Sequence, residues 1–132
     1  MSEGLVPFDP TLLALLKGSF GKDGLALPFV QEIFLMQCHI AGTSYCDLDE
    51  IVTGLHISDL LIFKREPENP HDELAILIFE KFGNKLGYVP RAKNEVLARL
   101  MDAGKLIFGK LEAKEWVDDW LKLDVRVFMR DY

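Results

Sequence analysis

The sequence predicts a mainly β (α+β) fold: a small closed or half-closed barrel of five to six strands, with one interior helix and a helical N-terminal extension. Short apolar segments recur along residues 29–129 and alternate with segments rich in Gly, Pro and Asn, which is typical of strands joined by turns. Within this region only residues 94–101 show a clear helical pattern. Curling the sheet into a barrel removes the exposed edges that an open sheet of this size would leave.

Residues 1–28 are predicted to form an extension that precedes a barrel domain of residues 29–132. Asp9-Pro10-Thr11 is a typical helix start, because proline is tolerated in the first helical turn, and Gly18 ends the pattern. We expect the apolar stripe of this helix to pack against the barrel or against a partner chain. The stripe consists of Leu12, Leu13, Leu15 and Leu16.

The strands of the barrel are predicted from apolar segments bounded by turn residues. Residues 29–40 form the first strand, and Gly42 permits a close approach of the backbone in the turn that follows. Residues 47–54 are short and acidic, and form either one helical turn or a loop. Gly104 ends the interior helix. The remaining strands cover residues 60–64, 74–79, 86–89, 106–111 and 121–129, of which 74–89 form a hairpin.

Composition limits the function that the chain can have. The net charge is −6, and residues 1–60 hold 8 acidic but only 2 basic side chains. This argues against a protein that grips long stretches of nucleic-acid backbone, whereas the 10 basic and 9 acidic side chains of residues 61–115 are compatible with a pocket for a few nucleotides. No apolar run approaches the roughly 18 residues of a membrane-spanning helix, and the N-terminus lacks a secretory signal. We therefore expect a cytoplasmic protein with no membrane partner.

Motifs for catalysis are missing, so the sequence predicts a protein that is not an enzyme. It contains no Gly-x-Ser-x-Gly turn, no phosphate-binding loop and no His-Glu-x-x-His motif. The acidic residues near Glu66 and Asp72 are interpreted as turn residues rather than as ligands of a nuclease metal ion. No zinc site and no cofactor are expected, because the cysteines and histidines lack metal-ligand spacing. These residues are Cys38, His39, Cys46, His56 and His71.

The most informative segment is Arg65–Ile76, with the sequence REPENPHDELAI. Its two prolines fix a rigid loop that presents Arg65, His71 and Asp72 beside a strand, which would suit a binding site. A purely structural interpretation is equally open from the residue types alone. In that interpretation Asn69 forms a tight turn, Asp72 caps its own backbone, and Arg65 pairs with a neighbouring carboxylate.

Three motifs resemble the signature of the HIRAN domain family. They are Arg65–Ile76, the LGYVPR segment of residues 86–91, and the LARLMDAG segment of residues 97–104. The resemblance extends from about Phe34 to Met129, in the same order and spacing. It implies an OB-like or SH3-like barrel, a domain that occurs alone in bacteria or fused to helicases and nucleases, and a pocket that captures the 3′-hydroxyl end of single-stranded DNA.

The same resemblance implies roles for individual residues. Asp72 corresponds to the residue that accepts a hydrogen bond from the terminal hydroxyl, and Tyr45 and His71 correspond to aromatic residues of the pocket. Ser44 takes the place of an arginine, which removes one phosphate contact. The nearest candidates for contacts with backbone phosphates are Arg65, Arg91 and Lys93. Trp116 or Trp120, expected in a loop before the last strand, would either stack on a base or belong to the core.

Together these observations predict a nucleic-acid-binding module whose partner is the 3′ end of single-stranded DNA, in DNA repair or processing. The alternative is an accessory module that joins a helicase or nuclease through the leucine stripe and binds no DNA itself.

Overall fold

The computed structural model describes residues 31–131, and these form a six-stranded antiparallel sheet with one helix. Two 3₁₀ turns, at Thr43–Tyr45 and Val52–Gly54, lie between the first two strands. The helix, α1, spans Arg91–Asp102. The strands are β1 (Gln31–His39), β2 (Leu60–Arg65), β3 (Ile76–Phe79), β4 (Lys85–Tyr88), β5 (Leu106–Val117) and β6 (Trp120–Asp131).

The sheet curls into the OB-like half-barrel that the sequence predicts. Its strand order is β1-β6-β5-β2-β3-β4, so β1 and β4 are the outer strands. These edges meet just beyond the end of β1, where Ala41 and Tyr88 exchange two backbone hydrogen bonds of 2.8 Å each. We call this junction the seam. Gly87 makes the seam possible, because a Cβ atom there would lie 2.3 Å from the Ala41 carbonyl oxygen.

The main core is built from alternate side chains of the strands and from one face of α1, and a smaller buried cluster contains Phe108 and Phe128. The alternation along β6 is confirmed, since every second side chain from Leu121 to Val127 is buried. Leu97 and Ala98 of α1 are completely buried against this layer. The helix ends at Asp102, just before Gly104, the residue predicted to end it, whose φ of 94° lies in the left-handed region.

Some element boundaries differ from the prediction for local reasons. Leu74 and Ala75 lie outside β3, because their amides bond to the side chain and the carbonyl of Asp72. The prediction of a loop containing the two tryptophans was wrong. Strand β5 extends to Val117 and β6 begins at Trp120, so both tryptophans lie in a β5–β6 hairpin, and both are well exposed rather than part of the core.

The predicted N-terminal helix and its leucine stripe lie outside the described residues. Among residues 31–131, no helix is long and apolar enough to cross a membrane.

Candidate nucleic-acid interface

A cavity of about 300 Å³ lies across the seam of the barrel. Three segments line it: residues 41–45 from beyond β1, residues 69–75 from the loop between β2 and β3, and residues 88–91 from the end of β4 and the start of α1. These include Tyr45, His71, Asp72 and Arg91. The structure therefore brings together four of the eight residues predicted for the site.

The loop between β2 and β3 is held rigid by Asn69. Its side-chain oxygen accepts hydrogen bonds from the amides of His71 (2.8 Å) and Asp72 (3.1 Å). The tight turn expected from Asn69 is thus present, and so is the cap expected from Asp72, whose Oδ1 accepts the Leu74 amide at 2.9 Å. These bonds fix the backbone at His71 and Asp72 before any ligand arrives.

The Asp72 carboxylate is stabilised in its ionised form. The hydrogen bond from the Leu74 amide lowers its pKa; burial opposes this, and the Asn94 side chain (2.8 Å from Oδ2) lowers it further. The positive charges of Arg91, whose Nε lies 3.6 Å from Oδ2, and of Arg65 act in the same direction. About a fifth of the side chain remains exposed, so the carboxylate can accept a further hydrogen bond from the cavity.

Behind the loop, Glu66 and Tyr88 form a support that sequence reasoning missed. Glu66 Oε1 accepts hydrogen bonds from the side-chain amide of Asn69 (2.7 Å) and from the Tyr88 hydroxyl (2.8 Å). Burial disfavours the Glu66 carboxylate, but these two bonds and nearby lysines lower its pKa overall. Burial, followed by the bond to Glu66, raises the pKa of Tyr88. Glu66 and Tyr88 both belong to the motifs that resemble the family. Their place in these motifs is the sequence feature from which their role could have been suspected.

Tyr45 and His71 provide aromatic surface at the cavity. Tyr45 is 92% exposed, which is unusual for a large aromatic side chain and leaves its ring free to stack. Its 3₁₀ turn begins after Gly42, whose φ of 78° is left-handed. The turn is attached to the barrel by Thr43, whose hydroxyl donates to the Leu121 carbonyl at 2.7 Å. His71 is exposed, and its carbonyl accepts a hydrogen bond from Arg91.

Arg65 serves the structure rather than the cavity. Its Nε donates to Asp102 Oδ1 at 2.9 Å, Nη1 to the Ala75 carbonyl at 2.8 Å, and Nη2 to the Glu73 carbonyl at 3.0 Å. With only 15% of its side chain exposed, it clamps the end of the loop to the end of α1. The expected pairing with a carboxylate is present, and the position of Arg65 does not support the predicted phosphate contact.

The remaining predicted residues lie away from the cavity lining. Ser44 is exposed in the 3₁₀ turn. Lys93 faces a separate groove on the outer side of α1, beside Met36 and Val96. Trp120 packs edge-on against His39, with ring centroids 6.0 Å apart.

The fold and the cavity define a small OB-like β-barrel domain with a cavity at its seam. The family model for the HIRAN domain matches residues 33–129. The chain belongs to the HIRAN domain family.

Solved structures agree with this assignment at the level of the fold. A crystal structure of a protein from Lactobacillus plantarum is similar at a TM-score of 0.72 and 24% identity, covering 78% of this chain and 99% of that one. The crystal structure of the HIRAN domain of human HLTF gives a TM-score of 0.60 at 19% identity, over 76% and 79% of the two chains. The NMR structure of the HLTF HIRAN domain in its DNA-bound conformation gives a TM-score of 0.52 at 20% identity, covering 86% of this chain and 84% of that one. The search of curated proteins finds no match.

Proposed function

We propose that this protein is a binding module, not an enzyme, and that its seam pocket holds the 3′-hydroxyl end of single-stranded DNA. The observation that carries the proposal is the Asp72 carboxylate, which is ionised, fixed by the Leu74 amide and Asn94, and partly open to a cavity bordered by Tyr45 and His71. The DNA-bound conformation of the HLTF domain, a structural neighbour, supports DNA as the ligand class.

The chemistry of Asp72 suits a hydroxyl and disfavours a phosphate. A fixed carboxylate accepts a short, charge-assisted hydrogen bond from an O–H donor. A terminal phosphate would instead bring two negative charges towards Asp72. Arg91 offsets part of this repulsion, but its guanidinium is already bonded to the His71 carbonyl and lies close to Asp72. The site therefore distinguishes a free 3′-hydroxyl from a 3′-phosphate.

Stacking and one cation supply the rest of the binding energy. Tyr45 and His71 can each stack on a base, which contributes about 1–3 kcal/mol per well-stacked base. Arg91, with 70% of its side chain exposed, is the cation at the cavity and the candidate for one backbone phosphate. Because few phosphates are contacted and the net charge is −6, we expect the affinity to depend only weakly on salt. A plot of the logarithm of the binding constant against the logarithm of the salt concentration should have a slope of about −0.7 per contacted phosphate.

The test is fluorescence anisotropy with a labelled oligo-dT, ending in a 3′-hydroxyl or a 3′-phosphate, at two salt concentrations. The wild type is expected to prefer the hydroxyl, and Asp72→Asn to lose that preference. Asp49→Asn, which removes the same charge from an exposed position outside the cavity lining, should behave as the wild type. Equal binding of both ends by the wild type, or an unchanged preference in Asp72→Asn, would overturn the proposal.

A role in DNA repair or processing, a helicase or nuclease partner and a cytoplasmic location stay predictions.

A further inference from the structure

The tip of the β5–β6 hairpin exposes three large apolar side chains, which together form an apolar patch around the tip. Trp116, Val117 and Trp120 are 50%, 39% and 38% exposed, and they lie within five consecutive positions. Single exposed apolar side chains are common on proteins, but two exposed tryptophans and an exposed valine at one hairpin tip are typical of an interaction surface. Val117 pairs with Trp120 across the hairpin, whereas Trp116 pairs with Leu121, so the tip presents tryptophan on both of its faces.

The hairpin projects beyond the rest of the sheet but is braced at its base. The pairing of β1 with β6 ends at Asp124, and that of β2 with β5 ends at Lys110. Two side chains hold the base: Lys114 donates to the carbonyls of Val52 (2.8 Å) and Leu55 (2.6 Å), and Thr43 donates to that of Leu121. The tryptophans are thus presented on a preorganised support, which lowers the entropic cost of binding.

The charge around the patch indicates what it binds. Asp118 and Asp119 are exposed at the turn of the hairpin. Glu115 is exposed as well but lies opposite Lys122 in the register of β5 and β6, so the net negative charge of the tip comes from the two aspartates. The ammonium group of the neighbouring Lys114 is occupied by the two backbone carbonyls. A nucleic-acid backbone would be repelled here, whereas Lys or Arg side chains would be attracted to the carboxylates and to the faces of the indole rings.

We propose that the hairpin tip, residues 115–121, is a docking surface for a segment of a partner protein that combines basic and apolar side chains. Residues 115–121 do not line the seam cavity, although Leu121 is hydrogen-bonded to the turn that carries Tyr45. The tryptophans supply the buried contact area and the carboxylates of Asp118 and Asp119 select a basic partner.

The experiment uses the full chain and two fluorescein-labelled nonapeptides, one of alternating Arg and Leu and the other of alternating Glu and Leu. The Arg-Leu peptide is expected to bind, and the Glu-Leu peptide to remain unbound. The double variant Trp116→Ser/Trp120→Ser should bind the Arg-Leu peptide about tenfold more weakly or worse. The control is Phe82→Ser, which removes another aromatic side chain, 77% exposed, from the turn between β3 and β4 and should leave binding unchanged.

A second variant guards against misfolding of the first. Asp118→Asn/Asp119→Asn keeps both tryptophans, and Asn tolerates the left-handed φ of 56° at position 118. It should weaken Arg-Leu binding several-fold. Equal binding by the wild type and both double variants would overturn the proposal. So would binding of oligo-dT that the tryptophan variant alone loses, or a wild-type dimer that the same variant converts to a monomer, since these outcomes assign the tip to nucleic acid or to a second copy.

Discussion

The side-chain amide of Asn94 donates to Asp72 Oδ2 across 2.8 Å and so joins α1 to the seam pocket. Asn94 is almost completely buried although it is polar, because its partner is the carboxylate rather than water. The helix therefore does more than close the core: it fixes the orientation of the acceptor in the pocket.

Replacing this donor by a second carboxylate should change the titration of Asp72. In Asn94→Asp a hydrogen bond is lost and a like charge is added, so the pKa of Asp72 should rise. NMR titration of the Asp72 carboxyl carbon measures this directly. Asn84→Asp, which adds the same charge at an exposed turn, is the control and should leave the pKa of Asp72 as it is. An unchanged pKa in Asn94→Asp would mean that neither the hydrogen bond nor a charge at position 94 acts on the Asp72 carboxylate.

Stability should depend on pH through the same carboxylate. Because the pKa of Asp72 is lower in the folded protein than in the unfolded chain, its contribution is present at neutral pH and lost as the pH falls below about 4. Urea unfolding of the wild type and Asp72→Asn at pH 6 and pH 3 tests this. The stability advantage of the wild type should shrink at pH 3. The same difference in unfolding free energy at both pH values would show that the ionised Asp72 carboxylate does not stabilise the fold.

Gly87→Ala should damage the seam. The added Cβ would lie 2.3 Å from the Ala41 carbonyl oxygen and 2.7 Å from Ile40 Cγ2, so backbone atoms would have to move. Overpacking of this kind costs about 1–3 kcal/mol of unfolding free energy, and more where backbone must shift. Gly54→Ala is the matched control, because no atom lies within 4 Å of its added Cβ. Chemical denaturation should separate the two variants clearly.

Arg65→Lys should weaken the clamp between the loop and α1. A lysine keeps the charge but lacks the planar fork that bonds to Asp102, Ala75 and Glu73 together. We expect a loss of about 1–3 kcal/mol in unfolding free energy, as for other broken hydrogen bonds of partly buried groups. The same substitution at Arg99, which forms an exposed pair with Glu95, should cost less than about 1 kcal/mol. Similar losses in the two variants would argue against the clamp.

The two cysteines should differ in reactivity. Burial raises the pKa of Cys38 to about 11; the positive charge of Lys93 lowers it, and the negative charge of Asp124 raises it. Its thiolate is therefore scarce at pH 8, and the side chain is 8% exposed. A thiol reagent should label Cys46 first, and label Cys38 only after unfolding. Equal labelling rates in the native protein would show that the core opens readily near β1.

The sequence predicts the barrel well where apolar alternation is strong. Strand β6 and the end of α1 just before Gly104 follow from single patterns that tertiary structure does not override. The length of β5 could not be predicted in the same way, because Glu112, Lys114 and Glu115 break the apolar pattern although the backbone from Ala113 to Val117 still pairs with β6. Backbone hydrogen bonds between strands continue past the core, where side chains are no longer apolar, so the hydrophobic pattern does not reveal where the strands end.

The pocket is a harder case because its residues are distant in sequence. The Arg65–Ile76 motif located Asp72. Arg65 is a clamp, as the structural interpretation of the loop expects, whereas His71 and Asp72 line the cavity and their role in binding stays a prediction. The partnership of Asp72 with Asn94 depends on how α1 lies against the loop, which periodicity does not encode. Sequence reasoning placed the close approach at Gly42, but the tightest contact is at Gly87.

The pocket spans the seam, and this gives the protein a built-in reporter. A ligand that contacts Tyr45 on one side and Arg91 on the other binds only while Ala41 and Tyr88 remain paired. By linkage, occupancy must make opening of the barrel at this point rarer. Amide hydrogen exchange at these two residues should therefore slow in proportion to bound ligand, so an unmodified sample can be screened against any candidate by watching two backbone protons.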